Sequence, residues 1–247
     1  MEKLTQRQIE ILKAIIQEYT ETGLPVGSEV LEKKYKLGVS PATIRNEMVE
    51  LAKKGYLKKE YFSSGRIPSA KAFRFYIKNL MKEKELATAE EVAYKNSIWD
   101  EKDNLNRLLS QAAKVLAKKT GFLSLAATDK GDVYYAGMGY LLERPEFFDL
   151  ELTRHLFLKL EEISFWERVI EAFIRTHEEI IYFLGEEDFY DPLFENCASV
   201  FGEFETESLK GIIGLIGPKR MPYGALIPQI RYFSNLIEEL LNPKKVW

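Results

Sequence analysis

The 247-residue chain is 46% apolar and 30% charged, with a net charge of −3, enough apolar content for the cores of one large or two ordinary globular domains. No apolar run reaches the length of a membrane span, the N-terminal MEKLTQRQIE is unlike a signal peptide, and the single Cys197 leaves no disulfide or thiol framework. Those features exclude a spanning or disulfide-stapled protein and predict a cytoplasmic one.

Charge is unevenly spread. Residues 1–85 hold 17 Lys and Arg against 11 Asp and Glu, and the remainder holds 18 against 27. A basic head on an acidic body suits a chain in which only the head displaces counterions from phosphate. In chain order, Thr5 caps a first helix that buries Ile9, Leu12, Ile15, Ile16 and Tyr19 and ends at Gly23. Leu24 to Gly27 reads as a connector. Ser28 opens a short second helix with Val30, Leu31 and Tyr35 inward and Lys33, Lys34 and Lys36 outward.

After a tight turn at Gly38, Ser40 and Pro41 supply an N-cap and a first helical residue that needs no N–H donor. Ile44, Met48 and Leu51 form the apolar stripe of this third helix, and Gly55 ends it. The opposite side carries Ala42, Asn46, Val49 and Lys53, flanked by Thr43 and Arg45. Short polar residues with an Arg and an Asn are what reads base edges in a major groove.

Lys58 and Lys59 then lead into a short hairpin with Ser63-Ser64-Gly65 as its turn, Arg66 projecting from the tip and Pro68 on the return strand. Helix, helix, tight turn, helix, hairpin is the order of a winged helix-turn-helix. Ser69 caps a fourth helix whose Lys71 and Arg74 lie beside the wing, within reach of phosphate. The candidate DNA-binding residues are thus Ser40, Thr43, Arg45, Asn46, Lys53, Lys58, Arg66, Lys71 and Arg74.

From Lys82 to Asp103 the sequence turns polar, and the boundary is placed there, giving a head over 1–86 and a body over 87–247. An amphipathic helix follows Asp103 and stops at Gly121. Phe122–Thr128 and Val133–Ala136 read as a hairpin around Asp129-Lys130-Gly131-Asp132. A helix from Asp149 buries Leu152, Leu156, Leu160 and Ile163, and another carries Trp166, Val169, Ile170 and Phe173. Ile180–Leu184, Ala198–Phe204 and Leu209–Ile216 read as strands, and a last helix runs from Tyr223 to Leu241 until Pro243 stops it. The expected fold class is α+β, with a mainly antiparallel sheet in the body.

The stretches LTQRQIEILKAIIQEYTETGLPVGSEVL, GVSPATIRNEMVELAKKGYL and SSGRIPSAKAFRFY, with LLERPEFFD, GEEDF and GLIGPKRMPYGALIPQI further on, resemble the HrcA heat-inducible transcription repressors. The resemblance implies a winged-helix head, a GAF-like regulatory and dimerisation domain, and a nucleoid-associated homodimer. Its implied partners are an inverted-repeat operator in double-stranded DNA ahead of chaperone genes and the GroE chaperonin. It assigns DNA contact to Ser40, Thr43, Arg45, Asn46 and Arg66. Typical members carry an inserted dimerisation subdomain before the LLxxPEF segment, where this chain has only TDKGDVYYAGMGY. The expected interface therefore moves to the helix after Asp103 or to the terminal helix.

An enzyme is not expected. His155 and His177 lack partners at metal-ligand spacing, no Gly-rich phosphate loop appears, and the acidic runs read as solvated turns. No cofactor or metal is predicted. The competing expectation is a winged-helix regulator that responds to a small molecule held in the GAF-like domain.

Overall fold

The computed structural model describes residues 3–59, 65–176, 178–189 and 194–242, without the side chains of residues 163, 172–175 and 189. Ser63, Ser64, His177, Pro243 and the side chains of Ile163 and Phe173, all named above, lie outside the described residues. The chain divides into two compact units, Met1–Lys82 with Arg220–Pro222, and Glu83–Lys219 with Tyr223–Trp247.

The first unit opens with α1 (Gln6–Thr22), closed at Gly23 in the left-handed region at φ 69°. Then come α2 (Ser28–Tyr35), α3 (Pro41–Lys53), β1 (Leu57–Lys58), β2 (Ile67–Pro68) and α4 (Ala70–Asn79). Ile11, Leu12 and Ile15 of α1 are fully buried with Leu31, Ile44, Leu51 and Phe73. Two polar side chains of α1, each 5% exposed, fix the other helices. Glu18 accepts from Lys34 Nζ at 2.7 Å and from the Tyr35 hydroxyl at 3.1 Å, anchoring α2. Gln8 donates to Glu47 and accepts from Lys54 Nζ, both at 3.1 Å, holding α3 within its length and at the residue that caps its C-terminal end. Burial, then the bond to Glu18, raises the Tyr35 phenol well above its ordinary range.

Two expectations need correcting. Val30 of α2 is 39% exposed rather than inward. Val26 is not a plain connector: it bridges Arg66 in antiparallel fashion, with both N–H to O bonds at 2.9 Å. The two-stranded wing is thus tied by this single bridge to the segment before α2.

The second unit contains α5 (Thr88–Ile98), α6 (Leu105–Thr120), β3 (Leu123–Thr128), β4 (Val133–Ala136), α7 (Met138–Leu142), α8 (Leu150–Glu161), α9 (Ile163–Thr176), β5 (Ile180–Leu184), α10 (Glu186–Phe189), β6 (Cys197–Glu205), β7 (Lys210–Pro218) and α11 (Tyr223–Leu241). The strands form one antiparallel sheet in the order β4-β3-β7-β6-β5. The α+β class with an antiparallel sheet is as expected from the sequence.

The polar stretch before Asp103 is in part α5, whose Tyr94 donates to Gln229 at 3.0 Å and whose Lys95 pairs with Glu239 at 2.7 Å. Residues 83–86 also belong to this unit. Arg231 holds Glu83 in a forked ion pair and keeps its carboxyl below the usual range. Lys84 N–H donates to Gly224 O at 2.8 Å. That carbonyl would otherwise bond the residue four positions on, which is Pro228, a residue with no N–H to give. A proline inside α11 thus leaves an acceptor that ties down the start of the second unit.

Candidate nucleic-acid interface

α3 starts where the sequence says it should. Ser40 Oγ accepts from Thr43 N–H at 3.3 Å, and Pro41 occupies the first turn. The stripe Ile44, Met48, Leu51 is buried, which turns Arg45, Asn46 and Val49 outward. A 510 Å³ cleft lies against this surface, and its lining includes Ser28, Glu29 and Val30 of α2, Arg45, Asn46 and Val49 of α3, and Lys59, Gly65 and Arg66 of the wing. Three of the predicted site residues meet there: Arg45, Asn46 and Arg66.

Arg66 does not project from a hairpin tip. Its backbone is locked to Val26, and its half-buried guanidinium lines the cleft, with Nη1 donating weakly to Gly65 O at 3.4 Å. Among the described residues its Nε, buried, has no hydrogen-bond partner. A buried guanidinium N–H without an acceptor is costly unless an incoming group supplies one, and phosphate or a base edge would do so.

Gly65 is what allows this arrangement, because a Cβ there would stand 2.3 Å from Val26 O. Gly65→Ala should therefore break the Val26–Arg66 bridge and cost roughly 1–3 kcal/mol. Urea unfolding of the variant beside the parent measures it, and an unchanged midpoint would show that the bridge does not hold the wing.

The other predicted residues lie off the cleft. Ser40 and Thr43, 3.1 Å apart through their hydroxyls, form the start of α3. Lys53 pairs with Glu50 at 2.7 Å on the exposed surface. Lys58 is exposed on β1, its backbone opposite Ile67. Lys71 donates to Lys54 O at 2.6 Å and lies 4.6 Å from the centre of the Tyr56 ring, closing the C-terminal end of α3. Arg74 is half-buried on α4. Sequence reasoning missed Lys59, Ser28 and Glu29 as cleft residues.

The sheet face bearing Leu125, Ile212 and Phe201 is covered by Phe147, Leu156, Phe165, Trp166 and Phe194, all buried together. Cys197 is fully buried there, and burial pushes its thiol up to about 12, so it stays protonated and unreactive. Among the described residues no group of His, Cys, Asp and Glu is arranged to hold a metal ion, and no helix is long and apolar enough to cross a membrane. His155 caps nothing of this kind; its Nδ1 lies 3.0 Å from Glu151 O of its own helix.

Comparison with known proteins bears on both units. The model of the LexA DNA-binding domain matches residues 1–63, and that of the HrcA protein C-terminal domain matches residues 42–227. The heat-inducible transcription repressor HrcA of Acetivibrio thermocellus is 33% identical over 242 residues, covering 96% of this chain and 64% of the relative. The repressor of the same name from Syntrophobacter fumaroxidans is 24% identical, covering 98% of this chain and 99% of the relative. That alignment runs over 343 positions against 247 residues here, so the relative carries residues with no counterpart in this chain. A crystal structure of a hypothetical protein solved at 2.2 Å superposes with a TM-score of 0.77 at 20% identity, covering 98% of this chain and 99% of that one, which is a likeness of fold. With the C-terminal model spanning most of its length, this chain belongs to the HrcA family.

Proposed function

We propose that the chain is a transcriptional repressor of heat-shock (chaperone) genes that binds an inverted-repeat operator as a homodimer and lets go on heat stress, with no catalytic role. The observation that carries the reading is the cleft between α2, α3 and the wing, where Arg45, Asn46, Lys59 and Arg66 converge and, among the described residues, Arg66 Nε is left without an acceptor. Its relatives named heat-inducible transcription repressors support the regulatory side. Arg and Asn suit guanine and adenine edges, and the wing Arg suits phosphate or a minor groove. Single heads bind DNA weakly, so pairing two of them raises the effective concentration of the second and sets the half-site spacing. The GroE chaperonin, a partner carried over from the family resemblance, would keep the protein in its folded, binding form.

The test is selection of a duplex from a random inverted-repeat pool, followed by titration of the full chain against that duplex, one half-site and a scrambled sequence over a range of salt. A cooperative preference for the two-half-site duplex supports the reading. Equal, steeply salt-dependent binding to all three would reduce it to a non-specific basic head.

A further inference from the structure

Val49 and Val30 are apolar side chains that the core of the first unit does not use. They are 38% and 39% exposed, and they line the same cleft as Arg45, Asn46 and Arg66. The stripe that seats α3 is Ile44, Met48 and Leu51, on the other side of the helix. Two β-branched side chains from two helices thus face solvent in the middle of a polar, cationic surface.

Exposed apolar surface there is unfavourable until something apolar covers it, and the major groove offers one such group, the thymine C5-methyl. We propose that Val49, with Val30 lining the same cleft, forms a methyl-binding spot that makes thymine the preferred base at one position in each operator half-site. This rests on the operator-binding reading and adds a specificity-determining residue to it.

The helix fixes where that thymine lies. Val49 follows Arg45 and Asn46 by about one turn, so it stands about 4.5–6 Å further along the helix axis. At about 3.4 Å per base pair, the thymine is one or two base pairs from those read by Arg45 and Asn46. Burying one methyl group is worth about 0.8 kcal/mol, a change in affinity of about fourfold.

The experiment replaces each thymine of the selected operator by deoxyuridine, one at a time, which removes the methyl and leaves base pairing intact. The wild-type chain should lose about fourfold in affinity at one thymine per half-site, at the distance given above from the pairs where Arg45→Ala and Asn46→Ala act. Val49→Ala, at an exposed helical position where Ala is a stronger helix former, should bind the parent duplex at the reduced affinity and lose nothing further with deoxyuridine. A flat deoxyuridine scan with inverted-repeat preference intact overturns the methyl contact and leaves the operator reading standing. Val49→Ala retaining the full penalty also overturns the contact. Absence of any inverted-repeat preference overturns both.

Discussion

Asn46→Ala is expected to cost roughly 1–3 kcal/mol of operator affinity and to flatten base preference at one position in each half-site, the signature of a lost bidentate base contact. Asn46 is exposed on α3 and lines the cleft, so truncation removes donors and acceptors without opening the core. Arg66→Ala should behave differently if its guanidinium meets phosphate. Affinity then falls almost uniformly across sequences, and the slope of log affinity against log salt becomes shallower by about one. Lys71→Ala is the useful contrast, because its ammonium is engaged by Lys54 O within the protein. Its first effect should be on the end of α3, seen as a lower unfolding midpoint with base preference kept. Fluorescence anisotropy of the three variants on selected and scrambled duplexes at several salt concentrations separates the cases. If Asn46→Ala and Arg66→Ala both bind as the parent does, the cleft is not the recognition surface.

Helix α3 was legible because its signals are local and agree: Ser40-Pro41 at the start, a buried stripe at helical spacing, and Gly55 at φ 78° beyond the end. The wing was less so. The contact between Val26 and Arg66 joins residues far apart in the chain through backbone atoms alone, and no side-chain pattern announces it. Arg66 does line the cleft, but its position depends on Gly65 having no Cβ, which a turn reading of Ser-Ser-Gly does not capture. Val30 was misplaced because α2 has only eight residues, too few for periodicity to separate a core face from a cleft face. α5 lies in the polar stretch that the sequence left open to being partly helical, and its bounds were not legible because only Tyr94 and Ile98 of its residues are buried and its polar positions surround them. In the second unit the long apolar runs of β6 and β7 identified themselves. Their order in the sheet did not, because register follows from which faces the helices cover.

The largest loss of stability is expected from Trp166→Ala, at about 3–5 kcal/mol. Trp166 is 2% exposed and lies edge-on to Phe201 at 6.0 Å between ring centres, with Tyr135 at 6.3 Å and Phe165 at 4.7 Å. Its indole N–H donates to Leu160 O at 2.8 Å, a carbonyl that also accepts from the Tyr135 hydroxyl. Across the sheet, Tyr135, Leu125, Gly214, Phe201 and Ile181 form one row of paired residues. Gly214 leaves room in that row, and a Cβ there would stand 2.4 Å from Phe201 Cδ1 and 2.1 Å from Val200 O. Gly214→Ala should thus destabilise the same region by overfilling it, by roughly 1–3 kcal/mol or more. Adding Phe201→Ala should not restore stability, because the ring can be removed but the Val200 carbonyl cannot move without breaking the ladder. Chemical unfolding of the single and double variants tests this, and a double variant as stable as Phe201→Ala alone would show that the carbonyl contact is relieved by backbone shift. If this unit holds two heads together, Trp166→Ala should also lower affinity for the two-half-site operator toward that for one half-site, while binding to the half-site itself persists. Unchanged preference for the inverted repeat, measured where the second unit has lost its folded signal, would place the dimer contact outside this unit.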